Sequence, residues 1–285
     1  MPDKILKICL SSMMIIFLSS CSLAGSWVYE RLDDYLADYF KEFADFSKEQ
    51  RQEIEFVSEE FLIWFSQNEL LNIVALLEDL KELDLNNPEK TISASYEKAE
   101  DIFKRSNYYF EKPIINFSKG LNEDQIEQIG SHFEKLRNER EEERNKEEKD
   151  YKERILENYV SGFDRIGINL REDQTDVISL NLENQINTRE EWSSLQQEWV
   201  EEFIRLLKTN NSYGYDIKMS AYLNSLENLG NKNFREKMNK NETLAIEIIS
   251  FVFLTIDEKQ LKGFNRTLDI YLNSINRILS KRRVN

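Results

Sequence analysis

The chain has 285 residues, with 53 Asp and Glu against 38 Lys and Arg and a formal net charge of −15. That balance excludes binding that relies on Lys and Arg neutralising phosphates, so no nucleic acid is expected as a partner, and it excludes broad electrostatic docking on anionic lipid. Eight Gly and three Pro are sparse punctuation for a β-rich chain, and two cysteines, Cys9 and Cys21, offer little for a disulfide framework.

The opening residues divide into regions of different character. Lys4 and Lys7 form a short basic stretch, diluted by Asp3, and Ile8 to Leu18 is apolar except for Ser11 and Ser12. That run is too short for a bilayer core about 30 Å thick, which needs about 20 apolar residues, but it has the length of a signal-peptide core. It ends in Leu18-Ser19-Ser20-Cys21, which resembles the lipobox of bacterial lipoproteins. The resemblance implies that residues 1–20 are cleaved away with Cys9, and that Cys21 carries lipid and ties the protein to a membrane. Ser22, where the sorting rule of enterobacterial lipoproteins would read Asp as retention, implies the periplasmic face of the outer membrane. Residues 21–26 form a linker reaching about 20 Å at most, and an all-helical domain is expected over 27–285.

Apolar spacing follows i, i+3, i+4, i+7 almost throughout, which predicts helices. Trp27, Val28, Leu32, Tyr35, Leu36, Tyr39, Phe40 and Phe43 predict a first helix over 26–46. A second block covers 48–84, divided where Ser66 and Glu69 resemble a capping box. Asn86-Asn87-Pro88 predicts a turn, with Pro88 opening a helix that runs to about Lys112 and is ended or kinked by Pro113.

From Glu134 to Arg154, 17 of 21 residues are charged, nine acidic and eight basic. Residues 123–160 are therefore expected to form one long helix, solvated in its middle and connecting two packed halves; a partner-binding rod is the alternative. Further helices are predicted at 172–186, 188–208, 214–229, 241–254 and 258–280, with a loop at 209–216. Trp192, Leu195, Trp199, Phe203 and Leu206 make one stripe, and Leu268, Tyr271, Leu272, Ile275 and Leu279 another. Such stripes favour core packing over a ligand box. The fold expected is all-α, a bundle of roughly ten helices including the long charged one.

A short element recurs four times: Phe46-Ser47-Lys48-Glu49-Gln50, Leu121-Asn122-Glu123-Asp124-Gln125, Leu170-Arg171-Glu172-Asp173-Gln174 and Ile256-Asp257-Glu258-Lys259-Gln260. Ser47, Asn122 and Asp257 suit a helix N-cap, and the Gln at the third helical position can reach back to it. Arg171 lacks that chemistry. The irregular spacing excludes a solenoid. Gln50, Gln125, Gln174 and Gln260 are thus structural candidates, and Gln50→Ala or Gln125→Ala should cost on the order of 1 kcal/mol or less.

The element resembles the L-T-x-x-Q signature of the Spy/CpxP periplasmic chaperones over about five residues each time. A broader resemblance spans nearly the whole chain. The Cys21 lipobox, Trp27 leading into Leu32-Asp33-Asp34-Tyr35, Gln50, Gln125 with the following Arg137-Asn138-Glu139-Arg140, and Gln260 are similar to a family of Gram-negative lipoproteins known only as a domain of unknown function. That resemblance implies an all-helical cell-envelope lipoprotein and brings no catalytic residue.

The residues themselves offer little chemistry. The single histidine, His132, and the absence of a free thiol after processing leave no zinc ligand set and no Cys/His nucleophile. No phosphate loop or dinucleotide fingerprint occurs. Acidic pairs such as Asp33/Asp34 and Glu59/Glu60 are too common here to mark acid–base work. No catalytic residue, metal or cofactor is expected. The expected function is non-enzymatic, through contact with another envelope protein; the alternative is a chaperone-like module shielding apolar segments. An open groove lined by aromatics would favour the second, and a closed core the first.

Overall fold

The computed structural model describes residues 31–146, 150–225 and 229–282. The signal segment, Cys21, the linker, Trp27 and Val28 lie outside the described residues. Every regular element among the described residues is helical. In order they are α1 (Leu32–Lys41), α2 (Lys48–Asn68), α3 (Leu70–Lys81), α4 (Pro88–Tyr109), α5 (Glu111–Ser118), α6 (Glu123–Lys146), α7 (Tyr151–Arg165), α8 (Glu172–Asn181), α9 (Arg189–Leu207), α10 (Tyr215–Asn224), α11 (Lys232–Leu254) and α12 (Glu258–Arg282), with a 3-10 turn at Leu182–Asn184. Among the described residues no helix is long and apolar enough to cross a membrane.

Local chemistry explains several boundaries. Ser47 caps α2 by accepting the Gln50 N–H at 3.2 Å, while the Gln50 side-chain oxygen accepts the Ser47 N–H at 2.8 Å. Asn122 with Gln125 and Asp257 with Gln260 repeat this box at α6 and α12. Gly167, at φ +82°, ends α7 in a left-handed turn: its N–H donates to the Asp164 carbonyl and the Ile168 N–H to the Phe163 carbonyl, each at 2.9 Å.

Other boundaries depart from the local pattern. The α2–α3 break falls at Glu69, and Ser66 is no cap: it is buried and its hydroxyl donates back to the Ile63 carbonyl at 2.7 Å. Glu69 is only 1 % exposed and accepts Nε and Nη2 of Arg105 on α4 at 2.7 and 2.8 Å, with Asn72 donating at 3.0 Å. The helix ends there because a tertiary ion pair holds it. The α4–α5 break falls at Phe110, ahead of Pro113, which sits at the third position of α5 where an N–H would have no partner within the helix. Helix α11 begins nine residues before its expected start, at Lys232. Asn231 caps it by accepting the Phe234 N–H at 2.9 Å, and Phe234 and Met238, one turn apart, bury its first face.

The charged stretch is not one helix over 123–160. Its described residues form the end of α6 and the start of α7, with Asp150 capping the latter by accepting the Tyr151 N–H at 2.7 Å. The parts on either side of it share their buried clusters. One buried cluster joins Leu77, Leu83 and Ile92 of the first part to Phe163, Ile178, Ile248, Val252, Phe264 and Leu268 of the second. Another joins Ala37, Phe43, Ile54, Ile115 and Ile129 to Leu206, Leu207, Tyr215 and Met219. A third, around Leu32, Phe61, Phe65, Ile102 and Phe110, reaches Ile278 of α12. Apolar faces at 3.6 spacing show that a helix is buried and not against which helix, so the halves interleave where sequence order suggested they would part.

Candidate functional site

The four recurrent glutamines meet in two pairs. The Gln50 amide donates to the Gln125 side-chain oxygen at 3.1 Å, and the Gln125 amide donates back at 2.7 Å. Each amide's second hydrogen goes to a backbone carbonyl just ahead of the other element, Gln50 to Gly120 at 3.0 Å and Gln125 to Asp45 at 3.1 Å. Gln174 and Gln260 repeat the arrangement: they donate to one another at 3.4 and 2.7 Å, and to the Thr255 and Asn169 carbonyls at 3.4 and 2.7 Å. Each side-chain oxygen also serves its own N-cap N–H, so two donors and two acceptor positions are filled at once. The glutamines reach back to their own helix starts and also clasp one helix start to another. A single capping box gives no sign of which other box it meets.

Arg171, the departure from the capping pattern, has a place in the second clasp. Its guanidinium donates to Asp257 at 3.2 Å, to the Gln260 side-chain oxygen at 2.9 Å and to the Thr255 carbonyl at 3.2 Å. The Arg171 hydrogen bond holds the Asp173 carboxyl below the usual carboxylate range. At Asp257 the Gln260 backbone N–H is the largest cause of the same downward shift, and Arg171 adds to it.

Beside the first clasp lies an open groove of about 760 Å3 between the α1–α2 connection and α6. Lys41, Glu42, Phe43 and Asp45 line one side, with Asp124, Glu127, Gln128, Ser131, His132 and Lys135 on the other. Gln128 fixes the connection by accepting the Asp45 N–H at 2.6 Å. Phe43 is buried, and its ring packs on His132 with centroids 4.3 Å apart and on Phe133 at 5.1 Å. Partial burial lowers the His132 pKa, opposed by the Glu42 carboxylate and assisted by Lys135. His132 thus lies beneath an aromatic ring at the floor of a charged groove, a position no sequence motif marks.

Lys41 is engaged by Glu55 at 2.5 Å and by Asp38 at 3.4 Å, and Arg51 Nε by the Phe46 carbonyl at 3.0 Å. The groove offers hydrogen-bonding and charged groups of both signs. The acidic pairs do not converge on it: Asp33 and Asp34 sit in the first turn of α1, which the helix dipole favours, and Glu59 and Glu60 are exposed on α2. Among the described residues no group of three or more His, Cys, Asp or Glu is placed to hold a metal ion.

The aromatic stripes close onto each other. Trp199 stacks on Phe203 and on Tyr222 with interplanar angles of 12° and 18°, and the Tyr222 hydroxyl donates to the Trp199 carbonyl. Trp192 stacks on Phe234, and Phe133 links Phe43 of the first part to Phe203 of the second. These rings contact one another in buried and half-buried positions.

A family of unknown function, DUF6279, matches residues 42–235, a span that holds the first three glutamine elements and all of the groove lining but Lys41. No curated protein and no solved structure matches the chain.

Proposed function

We propose that this chain, which belongs to the family of unknown function DUF6279, is a non-enzymatic cell-envelope lipoprotein, held through lipid on Cys21 at the periplasmic face of the outer membrane. There it acts by contact with another envelope protein. One observation carries the choice between contact and client shielding. Of the described aromatics of α1, the connection after it and α9, Tyr39, Phe40, Phe43 and Phe203 pack into one cluster with Phe133, and Trp199 stacks on Phe203, while Tyr35 is exposed. Shielding unfolded segments calls for exposed apolar surface of several hundred Å2, whereas the groove beside Gln50 and Gln125 presents charged and hydrogen-bonding groups. Such a surface suits recognition of a folded partner, where polar complementarity sets specificity.

The test places a photo-crosslinking residue at Glu127 or Ser131 in intact cells, with exposed Glu198 as the control position. The expected result is one discrete adduct from both groove positions and none from Glu198, lost when Cys21→Ala releases the protein from the membrane. Intact-mass analysis should show residues 1–20 absent and acyl mass on the cysteine. A mature N-terminus elsewhere without acyl mass would remove the anchor from the proposal. Suppression of aggregation of an unfolded client at low molar ratio, without a fixed adduct, would replace contact with the chaperone-like reading.

A further inference from the structure

The two glutamine clasps share their side-chain pairing and their backbone carbonyl partners, although Gln174 also donates to the Thr255 hydroxyl at 3.1 Å and Arg171 enters the second clasp, and the correspondence extends beyond them. Aligning Gln50 on Gln174 and Gln125 on Gln260 also aligns the carbonyls that receive their amides, Asp45 on Asn169 and Gly120 on Thr255. Each clasp joins the second helix of a run of six to the sixth: α2 to α6 in α1–α6, and α8 to α12 in α7–α12. The main helix pairs outside chain order come as counterparts under the same alignment. Helix α2 packs on α5, and α8 on α11. Helix α3 packs on α12, and α9 on α6. Helix α4 packs on α11, and α10 on α5. The last two kinds cross from one run to the other in a reciprocal manner: third on sixth, sixth on third, fourth on fifth, fifth on fourth. Reciprocity of that form is the mark of a two-fold, self-complementary interface.

We infer that the chain is a covalently joined pseudo-dimer: two six-helix repeats, Leu32–Lys146 and Tyr151–Arg282, whose self-complementary surfaces, built from their third to sixth helices, pair about an approximate two-fold axis. The partner that each such surface fits is the other repeat. Helix lengths follow the pairing. The long α4 of 22 residues lies on α11 of 23, and the short α10 of ten residues on α5 of eight. The sixth helix of each repeat is fastened at its start to its own repeat by a clasp and then packs along the third helix of the other. The repeats are therefore interlocked by their sixth helices, which is why the buried clusters ignore the charged junction between them.

The alignment also shows how the surroundings of the two clasps differ. It sets Phe43 against Gly167, Gln128 against Gly263 and His132 against Thr267. In the second repeat the connection lies directly on α12: a Cβ on Gly263 would stand 2.2 Å from the Gly167 carbonyl oxygen, and one on Gly167 would stand 2.4 Å from the Thr267 hydroxyl. In the first repeat the side chains of Phe43, Gln128 and His132 occupy the same interface and hold the connection off α6. One end of the pseudo-dimer is closed by backbone contact and the other is opened by side chains.

Two measurements on the full chain, with Cys9 and Cys21 replaced by Ser, test the inference. Spin labels are placed at exposed, equivalent positions: the pair Lys48 and Lys262, and separately the pair Glu172 and Glu127. A two-fold axis requires these two cross-repeat distances to coincide within the width of the label distributions, and clearly different distances overturn it. The second measurement cuts the chain at a protease site inserted between Lys146 and Tyr151. Interlocked repeats stay together as a one-to-one complex of unchanged helicity and elution volume without denaturant. Separation of the fragments would overturn the interlock.

Discussion

Replacing Gln125 by Ala tests the clasp most directly. The side chain is 6 % exposed and makes four hydrogen bonds: from the Asn122 N–H, to the Asp45 carbonyl, and two with Gln50. At a net value of about 0.5–1.5 kcal/mol each, with some relief because half-buried Gln50 can turn to water, the expected loss is about 2–4 kcal/mol. That exceeds what the cap alone predicts, because the bonds to Gln50 and to the Asp45 carbonyl are lost along with it. In urea unfolding followed by circular dichroism at 222 nm the midpoint should fall with little change in slope, and Tm should drop by about 5–10 °C. Gln50→Ala combined with Gln125→Ala should cost less than the sum of the single changes by about 1 kcal/mol or more, since both remove the same pair of bonds. Gln197→Ala, on an exposed face of α9, should stay within about 0.5 kcal/mol of the parent. A Gln125→Ala loss below about 1 kcal/mol that adds simply to Gln50→Ala would refute the clasp as a source of stability.

Three further outcomes follow from particular contacts. Arg105→Met should cost more than Glu69→Gln, about 3 kcal/mol against about 1, because it strands a carboxylate that is 1 % exposed while the guanidinium can return to water; urea midpoints of the two variants decide it, and equal losses would contradict it. Gly263→Ala should destabilise by at least 1 kcal/mol or so through collision with the Gly167 carbonyl, whereas Gly162→Ala, with open space around it in α7, should stabilise by roughly 0.5–1 kcal/mol. His132 should titrate below the ordinary histidine value of about 6.5 because burial favours its neutral form. Since the folded pKa is depressed, the unfolded chain binds the proton first, so stability is full above about pH 6.5 and declines as pH falls below it. An imidazole C–H resonance with its midpoint at or above 6.5, or an unchanged pH dependence in His132→Phe, would contradict that account.

The helical nature of the chain was legible in its residues, because a 3.6-residue apolar period and scarce Gly and Pro leave few other options. The starts at Ser47, Asn122 and Asp257 were legible too, since an N-cap is a local bond between residues three apart. Boundaries set by distant partners were not: Glu69 ends α2 where Arg105 lies across from it, and Phe110 ends α4 ahead of Pro113. The start of α11 was within reach, in Phe234 and Met238 at helical spacing behind Asn231, but polar neighbours obscured it. Sequence alone also found the four glutamine elements and assigned them a structural role. That Gln50 meets Gln125 while Gln174 meets Gln260, that the charged junction joins interlocked repeats, and that His132 lies under Phe43 beside a groove were decided by tertiary structure. The physical reason is the same in each case. An apolar stripe or a cap states what a helix must bury or satisfy, and many partners could meet that demand. Only the packed chain selects one.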